Sequence, residues 1–125
     1  MDLFRDKTAI VTGGASGIGK GLSEELGKYG AYVVVADLNG EEARNVAKSL
    51  MTAGGRAEAV TLDVTNEEDV RRLIDETAAK GGKLDYIFNN AGIGIGGEVR
   101  DMDLDHWERI VDLNQWGVVF GTLAA

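Results

Sequence analysis

Four short apolar stretches punctuate the chain, each followed by a longer segment in which apolar residues recur every three or four positions. The first, Thr8-Ala9-Ile10-Val11-Thr12, is β-branched and apolar and stops at Gly13-Gly14, as a strand buried on both faces does. From Gly17 to Tyr29 the stripe Ile18, Leu22, Leu26 predicts a helix, with Gly30 as its stop. Ala31 to Ala36 is again strand-like and ends at Asp37. Gly40 to Ala53 carries Ala43, Val46, Ala47, Leu50 and Met51 on one helical stripe and closes at Gly54-Gly55. Ala57 to Leu62 predicts a third strand, ending at Asp63. Thr65 and Glu68 have the spacing of a capping box, opening a helix with Val70, Leu73, Ile74, Thr77 and Ala78 on one stripe. That helix stops at Gly81-Gly82, and Leu84 to Asn89 predicts a fourth strand. A glycine-rich loop follows, then a last helix from near Asp103 or Asp105.

Alternating strands and helices require crossover connections, so the sheet is expected to be parallel with helices on both faces. The usual winding gives strand order 3-2-1-4: an α/β, Rossmann-type arrangement, one half of a doubly wound nucleotide-binding fold plus one strand. The last helix carries two apolar stripes, Trp107, Ile110, Val111, Asn114, Val118 and Leu113, Trp116, Val119, Phe120. Such a helix is central or lies in an interface. With a bare edge on the fourth strand, it predicts self-association as a homo-oligomer, Trp116, Val119 and Phe120 being exposed. The end, Thr122-Leu123-Ala124-Ala125, has no glycine stop or polar tail, so the natural polypeptide is expected to continue past Ala125. Residues 1–125 then read as one incomplete half-domain of that Rossmann-type fold.

Composition narrows the partners. Apolar residues at 44% and charged residues at 27% are a globular balance rather than a disordered one. A net charge of -8 argues against nucleic acid or an anionic membrane held by bulk electrostatics. No apolar run approaches the roughly 20 residues that cross a bilayer. The absence of cysteine removes disulfides and thiolate chemistry, and a lone histidine, His106, makes no metal pair, so no metal is expected. His106 reads as a cap-region residue. No signal peptide is visible in Met1 to Lys7, and the cytoplasm is the default compartment. Glycine, at 18 of 125, is about twice the usual share and clusters between the periodic segments, where turns belong.

The candidate chemistry lies at strand ends. Gly13, Gly17 and Gly19 follow a strand and open a helix, where unpaired N–H groups and the helix dipole make an anion site for a pyrophosphate. Asp37 ends the next strand, where its carboxylate can accept both hydroxyls of an adenosine ribose. A 2′-phosphate there meets like charge, repelled by about 4 kcal/mol at ~4 Å and effective dielectric 20. With Leu38 rather than arginine next, NAD is favoured and NADP disfavoured. Asp63 can accept from the adenine amino group while Val64 packs on the ring, or Asp63 serves only the turn before Thr65. Asn89 and Asn90 can bridge strands or face the cofactor, and Ala91-Gly92 is small enough to admit a sugar.

Together Thr12 to Gly19, Asp37, Asp63-Val64, Asn89 to Gly92 and Asn114 resemble the short-chain dehydrogenase/reductase family along the whole chain. The resemblance implies pyrophosphate contacts from Gly13, Ser16, Gly17, Ile18 and Gly19, ribose binding by Asp37, and adenine contacts by Asp63 and Val64. It implies cofactor contacts by Asn90, Ala91 and Gly92. Asn114 is similar to the family's helix asparagine, which holds a water that relays protons to the active-site lysine. An amide on an apolar stripe needs partners if buried, and Asn114 can instead satisfy a local backbone group. The family's Tyr-x-x-x-Lys pair is missing, since Val33, Ala36 and Asn90 follow Tyr29, Tyr32 and Tyr86 at that spacing. Its serine is missing too.

The expected function is an NAD-dependent oxidoreductase moving hydride between a secondary alcohol or ketone and nicotinamide. This chain supplies the adenosine side and by itself is expected to turn over nothing. The alternative is a non-catalytic nucleotide-binding module, should the natural chain end at Ala125. A methyltransferase-like site leaves Asn89 to Gly92 and Asn114 unexplained. The loop Gly94-Ile95-Gly96-Gly97 is expected near the substrate without selecting one.

Overall fold

The computed structural model describes residues 2–92 and 103–125. Strands β1 (Thr8–Thr12), β2 (Tyr32–Asp37), β3 (Arg56–Thr61) and β4 (Tyr86–Phe88) form one parallel sheet in the order β3-β2-β1-β4. Helices α1 (Gly17–Lys28), α2 (Gly40–Thr52) and α3 (Glu67–Gly81) connect the strands. Toward the C-terminus α4 (Leu104–Val111) runs through a π-helical turn (Asp112–Trp116) into α5 (Gly117–Ala124). No helix among the described residues is long and apolar enough to cross a membrane.

The strand period of two sorts the core into two layers. Ala9, Val11, Val33 and Val35 face α1 and α2, packing with Leu26, Ala43, Val46, Ala47 and Leu50. Ile10, Val34 and Ala36 face the other way, onto Val70, Leu73 and Ile74 of α3 and Phe120 of α5. The expected sheet order and the helices on both faces are both present.

Several local expectations are corrected. Ile18 is 82% exposed, and α1 buries Gly19, Ser23 and Leu26 instead. With about 3.6 residues per turn, a step of seven from Leu26 returns to nearly the same face, whereas a step of eight lands far to one side. Met51, at the end of the α2 stripe, is half-exposed. The cap of α3 is Asn66, whose side chain accepts from the Asp69 N–H at 3.1 Å. Thr65 is drawn away because its N–H and hydroxyl both donate to Asp63 Oδ1. Strand β4 is shorter than Leu84 to Asn89: before it the Asp85 carboxylate accepts the Thr8 N–H, and after it Asn89 leaves the ladder. In the last helix Val119 is half-buried, and Phe120 packs inward with Leu113 and Ala124. Trp116 stays exposed, its ring stacked on Phe120 at 6.0 Å between centroids. Asp103 and His106 form a reciprocal cap at the start of α4, as the sequence position of the histidine suggested. The Gly94–Gly97 loop lies outside the described residues.

The edge strand β3 is tied down by polar groups at the amino end of the sheet. The Tyr32 hydroxyl donates to Glu58 Oε2 at 2.5 Å, and Lys80 of α3 reaches Glu58 Oε1 at 2.8 Å. Burial first and the bond to Glu58 second push the Tyr32 hydroxyl from 10.0 up to about 12. A group whose folded value is raised stabilises the fold fully below its unfolded value, and that contribution disappears as pH climbs through the folded value. Thermal stability is therefore expected to fall between about pH 10 and 12, and Tyr32→Phe is expected to flatten that part of the profile. Melting curves of both proteins across this range check it.

Candidate functional site

In a parallel sheet the carboxyl ends of neighbouring strands lie along one edge, and here the register brings specific residues level. Thr12 pairs with Ala36, Asp37 with Thr61, and Val11 with Phe88. The chain turns to one side after β1 and to the other after β3, so a crevice opens at the ends of β1 and β4. A cavity of about 380 Å³ occupies this edge, lined by nine residues picked out in the sequence: Gly13, Ser16, Ile18, Asp37, Asp63, Val64, Asn90, Ala91 and Gly92. Leu38, Leu62 and Leu113 complete the wall. These three were missed in the sequence. Leu38 and Leu62 neighbour the two aspartates, and Leu113 arrives only through the packing of the last helix.

The glycine turn is held from three sides. Gly14 N–H donates to Ala36 O at 3.2 Å, and Ala15 N–H donates to Asp37 Oδ2 at 3.1 Å. Asn90 Nδ2 donates to Gly13 O at 3.2 Å. Helix α1 then begins without a side-chain cap at Ser16 and without an acidic residue in its first turn. By contrast, α2, α3 and α4 each have a side-chain cap and acidic first-turn residues. The first N–H to meet a helix carbonyl is that of Lys20, on Ser16 O, so the N–H groups before it are available to an anion.

The glycines differ in purpose. Gly17 has φ +54° and open space where a side chain would start, which admits close approach of a ligand. A side chain begun at Gly19 would run into the Gly13 carbonyl oxygen, and one begun at Gly13 would stand 2.9 Å from Ala91 Cα.

Asp37 faces the turn. Besides Ala15, its carboxylate accepts the Asn39 N–H on Oδ1 at 2.9 Å. Each oxygen keeps further acceptor capacity toward the cavity. Asp63 lines the same cavity, and its Oδ1 accepts from the Thr65 N–H and hydroxyl, the turn contact expected of it. Asn89 bridges elements, its Nδ2 donating to Thr122 of α5 at 3.2 Å. Asn114 lies in the π-helical turn at the surface rather than in the core, with its Oδ1 3.0 Å from where a side chain on Gly92 would begin. A π turn widens the helix by one residue and re-aims the side chains it contains.

Thr12 is the residue that motif reading underweighted. It is buried, and its hydroxyl accepts from the N–H groups of Asn90 and Ala91, both at 3.1 Å, while donating to Phe88 O at 3.3 Å. A polar residue ending an otherwise apolar strand was the available signal. Thr12→Ala strands the partly buried Ala91 N–H, leaves that of Asn90 with Phe88 O alone, and is expected to cost about 1–3 kcal/mol. Thr12→Ser keeps the oxygen and is expected to lose less than half of that. Denaturant unfolding of the two variants separates them.

The residues present suit a dinucleotide: an open glycine at the turn, an uncapped helix start, and a carboxylate beside both. The family model described as short chain dehydrogenase matches residues 7–125. The chain belongs to the short-chain dehydrogenase family. Family relatives include the 3beta-hydroxysteroid dehydrogenase 2 of Eggerthella lenta, 38% identical over 120 residues, covering 95% of this chain and 46% of the relative. The meso-2,3-butanediol dehydrogenase of Serratia marcescens is 38% identical over 117 residues, with 94% and 46% covered. Among solved structures, the apo form of LigD from Sphingobium sp. strain SYK-6 superposes with a TM-score of 0.93 at 33% identity, covering 97% of this chain and 52% of that one. The chain spans about half the length of the curated relatives it matches.

Proposed function

We propose that the protein is an NAD-dependent oxidoreductase acting on a secondary alcohol or the corresponding ketone, with residues 1–125 forming the adenosine side of its cofactor site. The observation that carries this reading is the placement of the Asp37 carboxylate on the Ala15 N–H, beside the uncapped start of α1. Pyrophosphate oxygens would meet the N–H groups from Ser16 to Gly19, and the ribose hydroxyls would meet Asp37. Asp63 and Val64 would flank adenine, with Leu38 and Leu62 adding apolar wall. Ala91 and Gly92 leave room for the cofactor's second sugar, and Asn114 would hold a water near it. Nicotinamide, when bound, supplies the hydride chemistry.

A 2′-phosphate near Asp37 meets a repulsion of about 4 kcal/mol, and half of that is still more than tenfold in affinity. The full-length protein is expected to bind NADH at least tenfold more tightly than NADPH in calorimetric titrations. Equal affinities would remove the NAD assignment. The substrate class rests on the names of two relatives, a hydroxysteroid and a butanediol dehydrogenase.

The acidic, cysteine-free composition suits the cytoplasm and a small-molecule partner. The exposed Trp107, Trp116 and Leu123 of the last helix support a homo-oligomer. A monomeric mass by light scattering for the full-length protein would exclude that assembly.

A further inference from the structure

Gly117, the first residue of α5, is buried, and the neighbour it makes room for is a wall of the cofactor cavity. A side chain begun there would stand 2.8 Å from Val64 Cγ2 and 3.2 Å from Val64 Cβ. Val64 in turn lines the cavity at the carboxyl edge of the sheet, as does Leu113, one helical turn before Gly117. The last helix therefore reaches the site twice. Leu113 forms part of the wall directly, and the bare backbone at Gly117 lets the helix seat against Val64.

Neither partner in this contact has much room to retreat. Val64 is branched at Cβ and therefore stiff, and it is buried in the apolar layer with Val70, Leu73 and Ile74. Helix α5 is anchored on that same layer by Phe120 and Ala124, and Thr122 Oγ1 accepts from Asn89 Nδ2 at 3.2 Å. A carbon added at Gly117 would press on Val64 with the helix held behind it. The open space beside Val64 is the cavity, so the side chain would be driven into it.

We propose that Gly117 is a positioning residue that acts through Val64 and sets the depth of the adenine subsite. The proposal rests on the dinucleotide reading of the site, in which Val64 flanks adenine. Its consequence is selective. Ligands that carry adenine depend on Gly117, and the nicotinamide half of the cofactor by itself does not.

The test uses the full-length protein with NADH and with reduced nicotinamide mononucleotide, which lacks the adenosine half, both followed by fluorescence. Four forms are compared: the unaltered protein, Gly117→Ala, Val64→Ala and the paired variant. Gly117→Ala is expected to bind NADH about tenfold more weakly, the worth of one misplaced methyl group in an apolar pocket. Its affinity for the mononucleotide is expected to stay within about twofold. In the Val64→Ala background the added carbon has room, and Gly117→Ala is there expected to change NADH affinity by less than about twofold. The paired variant also carries the test where Gly117→Ala alone does not fold, since it is expected to fold and to bind NADH as Val64→Ala does. The same loss in both backgrounds, equal losses for the two ligands, no loss at all, or a paired variant that does not fold would each overturn the proposal while leaving the dinucleotide site intact. Failure of the unaltered protein to bind NADH would remove the dinucleotide reading itself.

Discussion

Asp37→Ser is expected to shift the preference between NADH and NADPH by about a hundredfold. Two effects of opposite sign combine. The ribose loses charge-assisted hydrogen bonds of about 1.5–3 kcal/mol, which weakens NADH about tenfold or more. The 2′-phosphate loses a repulsion of about 2 kcal/mol after reorientation, which strengthens NADPH by at least tenfold. The surroundings add to the second effect. Ala15 N–H and Asn39 N–H both point at the carboxylate in the unaltered protein, at 3.1 and 2.9 Å. Without it they become two backbone donors facing the space where a 2′-phosphate would sit. Fluorescence titrations of both reduced cofactors measure the ratio, and an unchanged ratio would mean that Asp37 is not at the ribose.

Gly19→Ala is expected to have the largest effect on stability, about 3 kcal/mol or more. The added carbon would overlap the Gly13 carbonyl oxygen, which is backbone, and would press on the Asn90 amide. Neither yields cheaply, because the turn is tethered to β2 and β4. Gly21→Ala, two residues along the same helix, is the control: nothing lies within 4 Å of the position. There alanine is expected to stabilise the helix by about 1 kcal/mol. Denaturant unfolding of the pair gives the contrast, and similar midpoints for both variants would refute the packing role assigned to Gly19.

The comparison of these two glycines shows how far the chain could be read before its structure. The strands were legible because β1 and β2 are short apolar runs buried on both faces, and the helices because α2 and α3 carry clean stripes. Ile18 was misplaced since an apolar residue at the first turn of α1 fits the helical period loosely. The actual stripe begins at Gly19, which has no hydrophobicity to announce it. The cap at Asn66 was displaced from Thr65 by a local competitor, the Asp63 carboxylate. Gly117 and Gly121 gave no local sign of their role either: they let α5 approach Val64 and Asn89.

By itself the sequence determined the alternation of strands and helices, the glycine turn at the first junction, and the acidic residue at the end of β2. These are properties of neighbouring residues, set by backbone propensity and hydrophobic period. Only the tertiary structure decided which glycine meets open space and which makes room for Asn90. It also decided that Thr12 knits β1 to β4 and that a π turn carries Asn114 to the surface beside Gly92. Those relations join residues 20 to 80 positions apart, and sheet register and helix packing, which no local window contains, bring them within bonding distance.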